Sequence, residues 1–473
     1  MAANPVFSFS PKMKFAATAP PGKKLAFAHY MVAGIRSFDN VWEPDGYDKA
    51  YLDPNGEGGI HTAYGGWSRN RPTFRSPITA PAGSTWQIED AKFEVAMARQ
   101  AGLDGFAMWI PNVTGNNVTR LEAMWEGALR QDPTFLMRLM PDLGATIGSV
   151  DADQFVAFML QYAQKPNTMR LADGRLVISP YHADLKKSDL SWWQYVVDQC
   201  AKAGETVAFV PIMVNYTSVF NTLPYVYATG VWGSRSPATT NPTSSGQLGY
   251  AADAHANNKL WVQNVALQDV RPSQYIYDEA LGSQTLVNTV QLAVNTKADW
   301  VDLETWNDPA EHSGFYPSRN FGTLALELWR RLSPAWSSGT TWAADDSVLL
   351  LHRPHFAADK PSYAGYAKDA NGNITGTMKL RNPSSPAADI IEISSWFQQE
   401  TSLTLQVNGA AVGTFNAPAG YYRTQLPLVE GTIALVASRS GKSLTLRTPT
   451  AVTHQPYVQD MTYWGAWGVL GAS

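Results

Sequence analysis

Eight apolar, strand-like runs separated by helical stretches, followed by short alternating segments joined by hairpin turns, predict an α/β fold: a (β/α)8 TIM-type barrel and then a C-terminal antiparallel β-sandwich. A chain of 473 residues exceeds one ordinary core, so two domains are expected, residues 1–338 for the barrel and 339–473 for the sandwich.

The runs are LAFAHYMVAG (25–34), GLDGFAMWI (102–110), FLMRLM (135–140), RLVISPY (175–181), TVAFVPIMV (206–214), YATGVWG (227–233), KLWVQNVAL (259–267) and DWVDLETW (299–306). A closed parallel barrel needs that many. Between the first two, Ser84 and Gln87 form a capping-box pattern, Ile88, Ala91, Val95 and Ala98 fall on one helical face, and Gly102 stops the helix. DADQFVAFMLQYAQ (151–164) and FGTLALELWRRLS (321–333) read the same way, so the barrel ends near residue 335. Two inserts interrupt the alternation: residues 35–86, rich in Gly, Pro, Asp and aromatics, and residues 234–257, rich in Ser, Thr, Asn and Pro. Long βα loops lie over the functional face of such barrels, so both are expected to shape a cleft. Beyond them, VLLLHR, DIIEISSWF, SLTLQVNGAAVGTF, TIALVAS and SLTLRTPTAV alternate around turns at Asn408-Gly409 and Gly441.

Only 16% of the residues are charged and the net charge is −4, with no Lys/Arg block, so no nucleic-acid or membrane partner is expected. A neutral polymer suits such a surface, and a monomer is expected. No apolar run is long enough to span a membrane. The single cysteine, Cys200, allows no intramolecular disulfide and no cysteine-based metal site, and is expected to be a buried apolar residue. The start, MAANPVFSFSPKMKF, lacks the basic and apolar regions of a signal peptide. The expectation adopted is a secreted protein whose signal is absent from this sequence, with a cytoplasmic one as the alternative.

The densest chemical signal is DLETWNDPAEH (302–312), which holds four carboxylates in eleven positions. It reads as a strand from Trp300 to Thr305, broken by the turn residues Asn307, Asp308 and Pro309. Asp308 and Glu311 are therefore expected on a loop past a strand end, with side chains toward open space. Functional groups of parallel barrels gather at such ends. The other ends supply His29, Tyr30, Asp104, Asp142, His182, Asp184, Asn215, Gln263 and Asp269. Paired carboxylates without a nucleophile elbow, phosphate loop or reactive cysteine point to a glycosidic bond, where one acid protonates the leaving oxygen while another activates water or attacks carbon. Glu304 shares a strand face with Asp302 and is a candidate to line the mouth or pair with an arginine. Trp109, Trp232 and Trp306 are candidates to stack on sugar faces, Trp232 and Trp306 foremost. No His-x-x-x-His spacing occurs, so no metal and no cofactor is expected. Asn112, Asn117, Asn215 and Asn373 match the glycosylation sequon.

FAHYMVAG, AGLDGFAMWI, ETWNDPAEH and LLLHRPHFAADKP, in that order, resemble the corresponding stations of glycoside hydrolase family 71, the endo-α-1,3-glucanases called mutanases. The resemblance implies a catalytic pair within Trp-Asn-Asp-x-x-Glu, here Asp308 and Glu311, and an acidic residue in Gly-(Ile/Leu)-Asp-Gly-Phe, here Asp104. It also implies an Asp at the third strand end, here Asp142, and inversion at the anomeric carbon. By analogy with a related family of endo-acting α-mannosidases, Asp308 is assigned as base and Glu311 as acid. The sequence departs from the family pattern at Pro309-Ala310, where Tyr-Gly is usual, and at His312-Ser313, where Ser-His-Tyr usually follows. That change bears on substrate identity. The expected substrate-binding set is His29, Tyr30, Asp104, Asp142, Trp232, Glu304 and Trp306. Structural roles compete at several of these, since Asp104 precedes a strand at the N-terminal end of the wall and His29 lies in an apolar strand. A glycosidase for another α-linked polysaccharide, retaining and substrate-assisted, and a non-catalytic glycan-binding protein on the same scaffold are the alternatives.

Overall fold

The computed structural model describes residues 18–33, 70, 72–73, 79–362, 370 and 377–471. The opening segment, most of the 35–86 insert and the sequon at Asn373 lie outside the described residues. Each of the eight expected runs contains strand: Leu25–Met31, Gly105–Ile110, Leu136–Pro141, Leu176–Ile178, Val207–Phe209 with Ile212–Met213, Ala228–Val231, Leu260–Ala266 and Trp300–Glu304. Neighbours in sequence pair in parallel, for example Phe27 with Gly105, Gly105 with Leu136 and Val262 with Trp300. Trp300–Glu304 also pairs with Leu25–Met31, so the sheet curls. The fifth run is split at Val210-Pro211 because proline has no N–H to donate to a ladder.

Alternation along each strand sorts side chains to two sides of the curled sheet. Leu25 and Phe27 join Leu136, Val177, Ala208, Val262 and Trp300 in a concave-side cluster. Ala26, Ala28 and Tyr30 join Phe106, Val301 and Leu303 in the larger cluster beneath the helices. One such helix spans Trp86–Gln100, and its N-cap is Thr85, whose hydroxyl accepts from the Ile88 N–H. Ser84, the residue expected to cap it, instead donates its hydroxyl to the Glu89 carboxylate at 2.6 Å. Ala152–Ala163, capped by Asp151, and Leu324–Leu332 fall inside the expected helices. Cys200 is buried against this helical layer. Among the described residues no helix is long and apolar enough to cross a membrane.

From Ser347 onward the regular structure is mainly antiparallel sheet. Ser347–His352 is flanked by Ile390–Phe397 and Trp464–Val469, and Thr401–Val407 by Ala410–Ala417 and Ile433–Arg439. Asn408 and Gly409, both at positive φ (52° and 81°), close one two-residue hairpin, and Ser440 with Gly441 (49° and 78°) closes another. Such paired left-handed residues match the twist of the flanking strands. Val348 and Leu350 pack with Leu403, Leu435 and Leu446 between the two four-stranded sheets. Leu349 and Leu351 face the other way, into the cluster shared with the helices. Each such fully buried aliphatic contributes roughly 1.5–3 kcal/mol. The Glu279–Arg353 ion pair, at 2.5 Å and fully buried, crosses the same junction.

Candidate active site

Strand parity decides which side chains reach the concave mouth. Counting from Phe27 and Trp300, both in the concave cluster, His29, Asp302 and Glu304 share that face. They meet there. His29 Nε2 lies 3.0 Å from Asp302 Oδ2, and Arg138 Nη2 lies 2.5 Å from the same oxygen. Burial lowers the His29 pKa, against the opposing pull of Asp302, and so favours the neutral ring. Trp232 stands edge-on to it at 4.7 Å between centroids, and Tyr181 packs on Trp232 at 4.9 Å.

The loop after Glu304 is fixed before it delivers its acids. Asn307 bonds both the N–H and the carbonyl of Met31, at 2.7 and 3.1 Å, which ties the loop to the first strand. The Asp308 N–H donates to Thr305 Oγ1, and Asp308 Oδ1 accepts from the N–H groups of Ala310 and Glu311, at 3.1 and 3.2 Å. The Val270 N–H holds the Glu311 carbonyl at 2.8 Å. The two acids therefore do not stand in open space: Asp308 is buried, and the Glu311 side chain is 23% exposed. Turn bonds fold Asp308 back against its own backbone, and two arginines draw Glu311 down.

Those arginines are Arg235 and Arg271. Arg235 Nη1 lies 2.7 Å from Asp269 Oδ2 and 3.3 Å from Glu311 Oε2, while its Nε lies 3.5 Å from Glu304 Oε2. Arg271 grips Asp269 through Nε and Nη2, and reaches Glu311 Oε2 at 2.9 Å. Burial alone would lower the Arg235 pKa, yet the surrounding carboxylates raise it. Burial also works against ionised Asp269, but Arg235 and Arg271 hold its carboxyl below the ordinary value.

Four carboxylates share two cations here, and the imbalance appears in proton affinity. Desolvation pushes Glu304 up to about 8, with Arg235 opposing. Desolvation pushes Glu311 up to about 7, reinforced by the negative charges of Asp308 and Asp269. Asp308 is raised by burial too, but its next largest influences, Arg235, the Glu311 N–H and Arg271, all favour the carboxylate. Arg235 and Arg271 favour the Glu311 carboxylate as well, so the two loop acids form a pair that burial raises together, in which one can keep a proton while the other is ionised.

Of the residues expected from sequence, the structure brings His29, Trp232, Glu304, Asp308 and Glu311 together. Asp142 borders them: it accepts from Trp109 Nε1 at 2.8 Å and acts electrostatically on Tyr181, as Glu304 and Glu311 do. Three lie elsewhere. The Tyr30 hydroxyl donates to Glu94 at 3.0 Å, and Trp306 Nε1 donates to the other oxygen of Glu94, so both face the helical layer, fully buried. For Tyr30 the reason is parity, since the neighbour of an inward His29 must point outward. Asp104 sits at the opposite strand end, accepting from the Ala26 N–H at 3.0 Å and pairing with Lys23 at 2.6 Å. Sequence reading passed over Arg235, Arg271 and Tyr181. The first lies in the 234–257 insert, whose composition predicts loop, and no local pattern marks an isolated arginine as buried.

The profile of glycosyl hydrolase family 71 matches residues 80–471. The ascus wall endo-1,3-alpha-glucanase of Schizosaccharomyces pombe is 21% identical in an alignment of 366 residues that covers 72% of this chain and 82% of that protein. Among solved structures, the GH99 endo-alpha-mannosidase of Bacteroides thetaiotaomicron superposes with a TM-score of 0.47 at 12% identity, over 66% of this chain and 97% of its own. A Bacteroides uniformis beta-glucuronidase gives 0.42 at 10% identity, over 77% of this chain and 44% of its own. With the family profile running from the first helix to the last strand, the chain belongs to glycosyl hydrolase family 71 and is a glycoside hydrolase.

Proposed function

We propose that the enzyme cleaves α-1,3-glucosidic bonds in a polysaccharide, with Glu311 as general acid, Asp308 as general base, and inversion at the anomeric carbon. The observation that carries the roles is that burial and the neighbouring Asp308 charge push Glu311 up to about 7, while the Ala310 and Glu311 N–H groups donate to Asp308 Oδ1 and so favour a carboxylate there. A proton donor works best with an affinity near the pH of the reaction. Glu311 then protonates the departing glycosidic oxygen while Asp308 takes a proton from water attacking the opposite face of the sugar. His29, Trp232, Glu304 and Asp142 line the sugar site in this reading. The S. pombe relative's name supports the α-1,3 linkage.

The same reading takes the curled sheet as a complete eight-stranded barrel, the chain from 339 onward as a separate accessory domain, and the protein as a secreted, cofactor-free monomer. A retaining, substrate-assisted course is the second reading. The tight turn motivates it, because Asp308 Oδ1 accepts from the Glu311 N–H, and two acids held in one turn reach the wide separation of an inverting pair only if their side chains diverge.

Reducing-end release from insoluble α-1,3-glucan, beside dextran, starch, β-1,3-glucan and α-mannan, tests the substrate. Release from the α-1,3 polymer alone, lost in Asp308→Asn and Glu311→Gln, is the expected result, and release from another polymer moves the substrate. The anomer first formed, followed by proton NMR, separates the two courses.

A further inference from the structure

Arg235 meets three carboxylates at the mouth, Asp269, Glu304 and Glu311, and belongs to none of the assigned roles. Its guanidinium is nearly inaccessible, at 2% side-chain exposure, and lies 5.1 Å from the Trp232 ring centroid. The segment is fixed on both sides of the residue: the Gly233 N–H donates to Glu304 Oε1 at 3.0 Å before it, and after it the Arg235 carbonyl accepts from Thr285 and Ser236 Oγ accepts from the Ser385 N–H at 2.7 Å. Asp269, its main partner, is held in turn by the Arg271 fork. The guanidinium is therefore located from the C-terminal sheets on one side and from Asp269 on the other. Among the described residues, Arg235 Nε and Glu304 Oε2 face each other at 3.5 Å without closing a hydrogen bond, and Arg235 Nη2 makes none, although all three are buried. Leaving such groups unmade is costly in a plain structural cluster.

We propose that Arg235 is a positioning residue for the reaction: its Nη1 spans Asp269 and Glu311, and so fixes where the Glu311 carboxyl stands when it meets the glycosidic oxygen. A lysine offers one compact ammonium and not a planar fork, so it supplies the charge without the geometry. Arg271 Nη2 shares these two contacts, at 2.7 Å from Asp269 Oδ2 and 2.9 Å from Glu311 Oε2, but it is 18% exposed, whereas Arg235 is the arm that also meets Glu304 and Trp232 and so ties the Glu311 carboxyl to the rest of the mouth. The charged and titratable groups facing this cluster are Asp269 and Arg271 from one strand, Asp278 from the strand paired with it, Glu304 and Asp302 from another, His29 from the first strand, Asp308 from the loop, Tyr181 across the mouth, and Arg381, 3.8 Å from Asp269.

The inference rests on Glu311 being the acid, and the experiment separates the two. The kcat and KM for a soluble α-1,3-linked gluco-oligosaccharide are measured across pH for the wild type, Arg235→Met, Arg235→Lys and Glu311→Gln, with thermal melts of each. Removing the cation makes the Glu311 proton harder to lose, so the alkaline limb of Arg235→Met moves to higher pH while kcat falls about 10–100-fold, within the range of a displaced acid. Arg235→Lys keeps the limb near its wild-type position and recovers part of kcat. Equal losses in both arginine variants with unmoved limbs mean a purely structural role and overturn the inference, as does wild-type kcat in Arg235→Met. If Glu311→Gln is inactive while Arg235→Met matches the wild type, only the positioning role falls. If Glu311→Gln keeps wild-type activity, the acid assignment falls and takes the positioning role with it.

Discussion

Two buried charge clusters in this molecule differ in how completely they are satisfied. At the junction with the C-terminal sheets, Glu279 accepts from Arg353, Ala388 N–H, Leu281 N–H and Tyr463 hydroxyl at 2.5–3.1 Å, and Arg353 donates from all three guanidinium nitrogens. At the mouth, Arg235, Arg271 and four carboxylates are crowded, three of the acids are raised, and buried polar atoms such as Arg235 Nη2 make no hydrogen bond among the described residues. A network closed on itself holds structure, whereas one with unused donors and misplaced protons is poised to act on something else. The contrast sorts the charged residues into two kinds.

The largest expected effect breaks the mouth alone. Asp308→Asn and Glu311→Gln should each lower kcat on the preferred glycan about 10²–10⁴-fold. Their melting temperatures should stay at or above that of the wild type, since a neutral amide escapes the desolvation that raises both acids. A large fall in melting temperature would make the mouth cluster structural after all. The converse applies at the junction. Glu279→Gln leaves Arg353 with an uncompensated buried charge, which should cost about 3–5 kcal/mol in chemical denaturation. Turnover per folded molecule should not change. Loss of activity in proportion to no loss of stability would put Glu279 in the wrong class.

A pH experiment sharpens the same contrast at lower amplitude. Glu304 sits near 8 in the folded protein against an ordinary 4.5, because burial disfavours its charge. Below the ordinary value both states are protonated and its contribution to stability is fully present. As pH rises, the unfolded chain releases this proton first, so stability is lost through the window from about 4.5 to about 8. Glu304→Gln does not titrate, so its melting temperature should gain on the wild type across that window. Parallel curves would show that the Glu304 pKa is not raised.

Much of the fold was legible because strands and helices announce themselves by period. Every apolar run holds a strand, and Asn408-Gly409 closes its hairpin as its residue types demand. The acidic loop was legible from composition and turn chemistry. Orientation was harder. In LAFAHYM both faces are buried, so hydrophobicity does not alternate, and nothing in the run says whether His29 or Tyr30 looks inward. Trp306 follows the strand, and its burial against Glu94 depends on a helix more than two hundred residues earlier. Arg235 gives no signal at all, since its meaning comes from three carboxylates at positions 269, 304 and 311 that only the fold assembles.

The smallest effects test the far end of the sheet, where Asp104 was expected to contact substrate. Its Oδ2 accepts from the Ala26 N–H and its Oδ1 pairs with Lys23, on the opposite strand end from Glu304. Asp104→Ala leaves the Ala26 N–H without its side-chain acceptor, at about 1–3 kcal/mol. Lys23→Ala removes only a half-exposed ammonium, worth about 0.2–1 kcal/mol and less in salt. Neither change should move kcat or KM, because neither group lies on the concave face of the mouth. A rise in KM for Asp104→Ala without a matching loss in Lys23→Ala would show that the carboxylate reaches the glycan directly. Two small stability losses with unchanged kinetics would leave Asp104 as an anchor for the first strand.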